Sequence, residues 1–478
     1  MKKTKLMALI LMLITSLSVG CTSTNVKDTE EKEEKNKDNK EQEELLKEAY
    51  IYTFPLVIED ATLQKATNTE TPTDNRAPIN QLMHTKDVAD ASSRMVVTPN
   101  VDTVYSQAFL DLDKDKAFIL KKPKTDRYCS IQILDGYTNT HALLGSGFDG
   151  QEEKTYLITR EDYDGEIPNG VTHIKMDTDI VWMIVRTICN GKDDLENVYK
   201  VQDKMELIPL EYYKSNKKYT PPKGTYNKEN DFVPVEYVLK MTPKEYFDKA
   251  NELMKDNPPT KEDKEIIDKI SAVGVGPGLK FDESILGDNE KETWTNLLKT
   301  AKSEVIEEAT KFNKTNNGWS YYGKPIGDFG TEYKFRTAVA LKGLGANPVD
   351  VAIYAKTNND CDNNKLNGKN TYVIHFDKDK LPPVEKYGFW SITAYGEDDF
   401  LIDNKENKYS ISDRSDFKYN DDGSLDLYVS AKKPENVDKE NWLPVKDDLF
   451  HLCFRIYLPS ESVKDGSWKI PKVEKYTK

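Results

Sequence analysis

Phe450-His451-Leu452-Cys453-Phe454-Arg455-Ile456-Tyr457-Leu458 is the stretch that decides the fold. Phe450, Leu452, Phe454, Ile456 and Leu458 fall on one side of a period-two repeat, as in a strand with one face in a core. Upstream, residues 371–376 set Tyr372, Ile374 and Phe376 against Val373 and His375, and residues 389–395 and 425–431 behave likewise. Turn residues such as Asn420-Asp421-Asp422-Gly423-Ser424 stand between them. Short strands at this spacing point to an antiparallel sandwich or jelly roll over 318–478. No self-similar period runs through the chain, which excludes a repeat protein.

Further upstream the same signals recur. Strands are expected at 104–112, 127–134, 155–158 and 181–188, with a short helix at 198–204. Residues 43–63 open this region as a helix. Leu46, Tyr50, Phe54, Val57, Ile58 and Ala61 make one stripe, and Pro55 should kink it. Residues 43–240 therefore read as a β-rich N-terminal domain. Between the β regions, 241–317 is helical. Thr242-Pro243-Lys244-Glu245 is a capped helix start, and Phe247, Ala250, Leu253 and Met254 repeat on one face. Helices follow around 262–270 and 291–312, and the glycines at 274–278 read as a rigid loop. The fold class is mainly β: two β-rich domains, the C-terminal one an antiparallel sandwich, with a helical segment between them.

The N-terminus carries an address. Met1-Lys2-Lys3-Thr4-Lys5 is cationic, residues 6–17 are nearly all apolar, and Ser18-Val19-Gly20 precedes Cys21. Residues 1–20 read as a signal peptide, too short to span a bilayer. The junction resembles the lipobox of bacterial lipoproteins, which implies a lipid on Cys21. Residues 21–42 are charged, with Val26 the only aliphatic residue up to Asn39, and read as a disordered tether. The expected location is the cell membrane, lipid-anchored and facing outside the cytoplasm. A net charge of −14 on 478 residues argues against nucleic acid and against an electrostatic hold on anionic lipid.

Cys129, Cys189, Cys361 and Cys453 are far apart and read as free or structural thiols rather than a disulfide framework. No spacing calls for a metal or a cofactor, and His451-Leu452-Cys453 alone is no cage. Gly-x-Ser-x-Gly is not met, because Leu144 precedes Gly145-Ser146-Gly147.

Two strings can carry chemistry. In Thr98-Pro99-Asn100-Val101-Asp102-Thr103-Val104-Tyr105, Pro99 should push Thr98 into an extended conformation, and Asn100 and Asp102 can point to one side. Asp135-Gly136-Tyr137-Thr138-Asn139 closes the strand that begins with Arg127. Asn100, Asp102, Tyr105, Arg127, Asp135, Tyr137 and Asn139 could line a cleft for a small polar ligand. The same side chains could instead tie down their own turns. Arg336 and Arg414 read as members of structural ion pairs, His375 as a satisfied core histidine, and Trp390 as core packing.

These strings also resemble a known pair of bacterial families. Residues 95–105, with Arg127-Tyr128, Ser130, Gln132, Asp135 and Tyr137-Thr138-Asn139, resemble domain of unknown function 1254. Gly318-Trp319, residues 336–347, Leu381-Pro382-Pro383-Val384, residues 389–393, residues 409–414 and Asn441-Trp442-Leu443-Pro444 resemble its usual partner, domain of unknown function 1214. The resemblance implies two β-rich domains with helix between and no secure activity. The functional expectation is binding of a small polar or amphipathic ligand near the Asn100 and Asp135 loops. The alternatives are a hydrolase or lyase using Asp102 or Asp135 as acid–base group, with Arg127 or Tyr105 stabilising charge, and an envelope protein without ligand.

Overall fold

The computed structural model describes residues 24–94, 96–113 and 116–477, with side chains from Asn39. The signal peptide and Cys21 lie outside them. Residues up to Glu44 form one unit and Leu45–Lys478 a second. Helix α1 spans Thr24–Ala66, so the segment 21–42, expected to be without structure, is helical from Thr24. Glu31/Lys35 and Glu33/Lys37 stand at the i, i+4 spacing that supports a helix. α1 continues through Pro55.

The N-terminal strands are β1 (Met83–His84), β2 (Thr103–Asp111), β3 (Ala117–Lys122), β4 (Cys129–Asp135), β5 (Thr140–Gly145), β6 (Lys154–Arg160), β7 (Thr172–Met176), β8 (Ile180–Ile188) and β9 (Glu206–Pro209). They form a five-stranded sheet, β1-β2-β8-β4-β5, and a four-stranded sheet, β7-β6-β3-β9. Leu110, Ile131, Ile133 and Val185 of the first sheet meet Phe118, Leu120, Tyr156 and Ile158 of the second in one core. Helices α2 (Leu195–Gln202) and α3 (Leu210–Ser215) flank β9.

The C-terminal half adds β10 (Asn313–Asn316), β11 (Trp319–Tyr322), β12 (Ala352–Thr357), β13 (Tyr372–Phe376), β14 (Val384–Gly396), β15 (Ser410–Ser412), β16 (Leu425–Ser430), β17 (Trp442–Pro444), β18 (Phe450–Pro459) and β19 (Val473–Lys475). Their sheets run β10-β11-β12-β18-β14-β15 and β17-β16-β13-β19, antiparallel except for the parallel pair β16–β17. Phe450, Leu452, Phe454 and Ile456 of β18 pack with Trp390 and Ile392 of β14 against Ile374, Phe376, Leu425 and Leu427. The sandwich expected from the alternation is the one observed, and Trp390 lies in its core.

The alternation understates burial. All of β4, β8 and β18 is buried on both faces. The second face of β18, which carries Cys453, Arg455 and Tyr457, packs on the N-terminal half rather than meeting water. β4, expected as a half-buried strand, is covered in the same way.

The helical layer is more than a connection. It contains α4 (Pro234–Lys240), α5 (Pro243–Asp256), α6 (Lys264–Ile270), α7 (Glu290–Thr310) and α8 (Tyr333–Gly343). Thr242 and Glu245 form the expected capping box on α5. Leu46, Tyr50, Phe54 and Val57 of α1 join Phe247, Met254, Trp294, Val305 and Phe335 in a single core. Residues 49–59 of α1 are buried on every side, not along one stripe. A helix apolar all round is one enclosed by its neighbours.

Candidate functional site

The loop before β2 is held from the other half of the chain. Thr98 donates its N–H to Asp399 O at 2.7 Å, and its carbonyl accepts from Arg455 Nη2 at 3.0 Å. These bonds hold Thr98 at φ 46°, a left-handed conformation costly for a β-branched residue and not the extended one Pro99 favours. Tyr395 Oη donates to Pro99 O at 2.7 Å. Asn100 Nδ2 donates to Tyr457 Oη at 2.7 Å and Tyr105 Oη at 3.2 Å, and its Oδ1 accepts the Asp102 N–H. Asp102, with its side chain 1% exposed, takes Arg414 Nη2 at 2.7 Å on one oxygen and the Ser391 hydroxyl on the other.

Behind this loop lies a buried cation. Arg186 projects from β8, where it pairs with Tyr105 on β2 and Ser130 on β4. Its Nη1 donates to Gln132 Oε1 at 2.8 Å and its Nη2 to Gly345 O at 3.0 Å. Its guanidinium stands 5.8 Å from the Tyr105 ring centroid. Tyr105, Tyr128, Tyr354 and Tyr457 are near enough to favour its charged form. Among the described residues no carboxylate lies within ion-pair reach of Arg186. Asn347 donates to Tyr354 Oη at 2.7 Å, while its buried Oδ1 has no partner.

The Asp135 loop closes on itself. Asp135 Oδ1 accepts the N–H groups of Tyr137 and Asn139, both at 2.9 Å, and its Oδ2 accepts Asn139 Nδ2 at 3.0 Å. Burial still raises its carboxyl above the ordinary range, opposed by those bonds and by Arg336. Tyr137 donates to Asn257 O at 2.9 Å. Arg336, from α8, sits among three rings: Tyr52, Tyr137 and Tyr333, at 5.5, 5.3 and 5.2 Å. Its Nε and Nη2, the Tyr52 hydroxyl and both oxygens of Glu59 are buried without a hydrogen-bond partner. Burial, with Asp135 and Asp60 nearby, pushes the Glu59 carboxyl well up.

Residues 79–209 match the family described as "Protein of unknown function (DUF1254)", and residues 351–461 match "Protein of unknown function (DUF1214)". The chain carries both domains, in that order. The crystal structure of the VPA0106 protein from Vibrio parahaemolyticus has the same fold. It aligns over 91% of this chain and all of its own, at 24% identity and a TM-score of 0.68. An uncharacterised protein from Burkholderia cenocepacia aligns over 92% of this chain and 94% of its own at 11% identity, with a TM-score of 0.43. No curated protein matches.

Within the DUF1254 domain, the expected cleft does not form as expected. β2 and β4 both pair antiparallel with β8, Thr103 opposite Ile188 and Asp135 opposite Val181. Asp102 and Asp135 thus lie at opposite ends of one sheet, about eight residues or roughly 25 Å apart along the strands. Asn100, Asp102 and Tyr105 share one end. Tyr137 and Asn139 belong to the other. Arg127 is at the Asp102 end but is committed to Asp194, at 2.9 Å, and to Ile188 O. Asp102 and Asp135 cannot act together on one substrate, and each carboxylate is already hydrogen-bonded.

Arg414 of the DUF1214 domain is in the ion pairs expected, to Asp102 and Asp413. Arg336 is not; rings take the place of a carboxylate. His375 is no core residue: its side chain is 47% exposed and pairs with Asp426. Cys129, Cys189, Cys361 and Cys453 are unpaired thiols. Sequence reasoning missed Arg186, Asn347 and Tyr354. One signal was available for Arg186, which is the single charge in Ile180-Val181-Trp182-Met183-Ile184-Val185-Arg186-Thr187-Ile188.

Proposed function

We propose that the protein binds a small ligand bearing an anionic group at the junction of its two β domains, against Arg186. The observation that carries this reading is a buried guanidinium bonded to neutral acceptors alone, with the Tyr105 ring beside it. A desolvated cation without a counter-ion is costly, and a carboxylate or phosphate would supply what the chain does not. Asn100 and Tyr105, half-buried beside it, would be ligand contacts in this reading, and the unpartnered Asn347 Oδ1 would accept from a hydroxyl or amine elsewhere on the ligand. Asp135, Tyr137 and Asn139 have no part in this reading.

The site would face outside the cytoplasm on a protein anchored through a lipid on Cys21. The apolar run before Cys21 supports that, and Cys21→Ser should then move the protein to the soluble fraction. Retention in the membrane would refute acylation there. A thermal-shift panel of small carboxylates and phosphates tests the ligand. At least one should raise the melting temperature of the parent and of Asp135→Asn, but not of Arg186→Gln, with Tyr105→Phe weakened. A panel without hits, or hits indifferent to both Arg186→Gln and Tyr105→Phe, would leave an envelope protein without ligand as the better account.

A further inference from the structure

A groove of about 250 Å³ opens on the helical layer. Its walls are Tyr50 of α1, Leu239 of α4, Leu298, Ala301 and Val305 of α7, and Thr337 and Leu341 of α8; the Thr337 hydroxyl is spent on Ile51 O. The α7 residues follow helical spacing, so one face of that helix forms the floor. Leu239 is 41% exposed on the wall. Lys299 and Lys302, from the same helix, also line the groove and are exposed. Neither has an ion-pair partner among the described residues. Glu304, two residues on, is already held by Lys47 and Lys334.

We propose that this groove takes the alkyl chain of a free fatty acid, with the carboxylate meeting Lys299 and Lys302. The lining fixes the class of the tail: walls that are mostly apolar, with only the Tyr50 and Thr337 hydroxyls among them, gain by excluding water and offer little to hold a polar body. The rim fixes the class of the head. Two like charges three residues apart on one helix repel, and a carboxylate between them relieves that repulsion. The volume fixes the size, since it lies just under the ~300 Å³ lower end of ligand pockets and suits one chain rather than two. The inference is independent of the Arg186 reading.

The experiment is calorimetric titration of the full chain with laurate below its micelle concentration, with dodecyl maltoside as the neutral head on the same tail. Laurate should bind saturably at one site. Lys299→Glu/Lys302→Glu should weaken laurate about tenfold and leave the maltoside unchanged. Leu239→Asp, a change at an already exposed position, should weaken both while the melting temperature holds. Absence of laurate binding, laurate binding equal in the charge-reversed variant, or binding untouched by Leu239→Asp would each overturn the proposal.

Discussion

The loops at the two ends of the β2–β8–β4 sheet are built from the same residue types and do opposite jobs. At one end, Asn100 and Asp102 spend their polar groups largely on the other domain: Tyr457, Arg414 and Ser391. At the other, Asp135 and the Asn139 amide nitrogen spend theirs on their own turn, and only Asn139 Oδ1 reaches out, to the Phe329 N–H. The difference is one of partners in reach. A loop that meets a foreign sheet can trade side chain for side chain, whereas one that bends back over its own strand finds mainly its own backbone N–H groups. Two of the buried arginines differ likewise. Arg186 has neutral oxygens on its guanidinium, and Arg336 has three aromatic faces.

The sharpest test of that contrast is Arg414→Met. It strands the Asp102 carboxylate in a buried place, and the expected cost is about 4 kcal/mol in urea unfolding. Asp102→Asn should cost less, because Arg414, with its side chain 21% exposed, can turn to water. Asp135→Ala should come next, at about 3 kcal/mol, by leaving the N–H groups of Tyr137 and Asn139 unbonded. If it costs more than Arg414→Met, the local lock outranks the inter-domain one and the comparison fails.

Arg127→Ala probes a third clamp beside the Asn100 end. Burial would raise the Asp194 carboxyl, but hydrogen bonds from Arg127, the Asn190 N–H and Asn197 outweigh it and hold the group at about 2. A depressed carboxyl contributes stability above its ordinary value near 3.8 and loses it as pH falls through about 2. The variant should lose about 2 kcal/mol at pH 7 and flatten the acid limb of its stability curve. An unchanged limb would count against the clamp.

The smallest effect is expected far from either loop. Asp426 raises the His375 imidazole above its ordinary 6.5, against some burial. Stability from that pair is therefore full below about 6.5 and lost as pH rises through the elevated value. For so exposed a pair it amounts to a few tenths of a kcal/mol. Titration of the imidazole by proton NMR should give a midpoint above that of a free histidine. A midpoint at or below it would dissolve the pair.

How much was legible follows from the same contrast. Strands with clean alternation or long apolar runs, such as β8, β13 and β18, were readable because burial of one face is written locally. β3 and β5 were not. Ala117-Phe118-Ile119-Leu120-Lys121-Lys122 and Thr140-His141-Ala142-Leu143-Leu144-Gly145 are short apolar runs without a period. The candidate loops were legible as turns, and Asn100 and Tyr105 as polar contacts. Which loop meets which was not, since that depends on strand direction across the sheet. Nor did residue spacing show that the second face of β18 would be covered by another domain, or that α1 would be wrapped by helices some two hundred residues away.

One consequence of the Thr98–Asp102 clamp reaches the bench. The boundaries at which sequence families begin and end are not places where this polypeptide can be cut. A fragment stopping near residue 240 would present unanswered donors and acceptors to solvent, and its complement would bare Tyr457, Arg455 and Ser391. Both pieces should be sticky and ill-behaved, and the intact chain from Leu45 onward should melt in a single step.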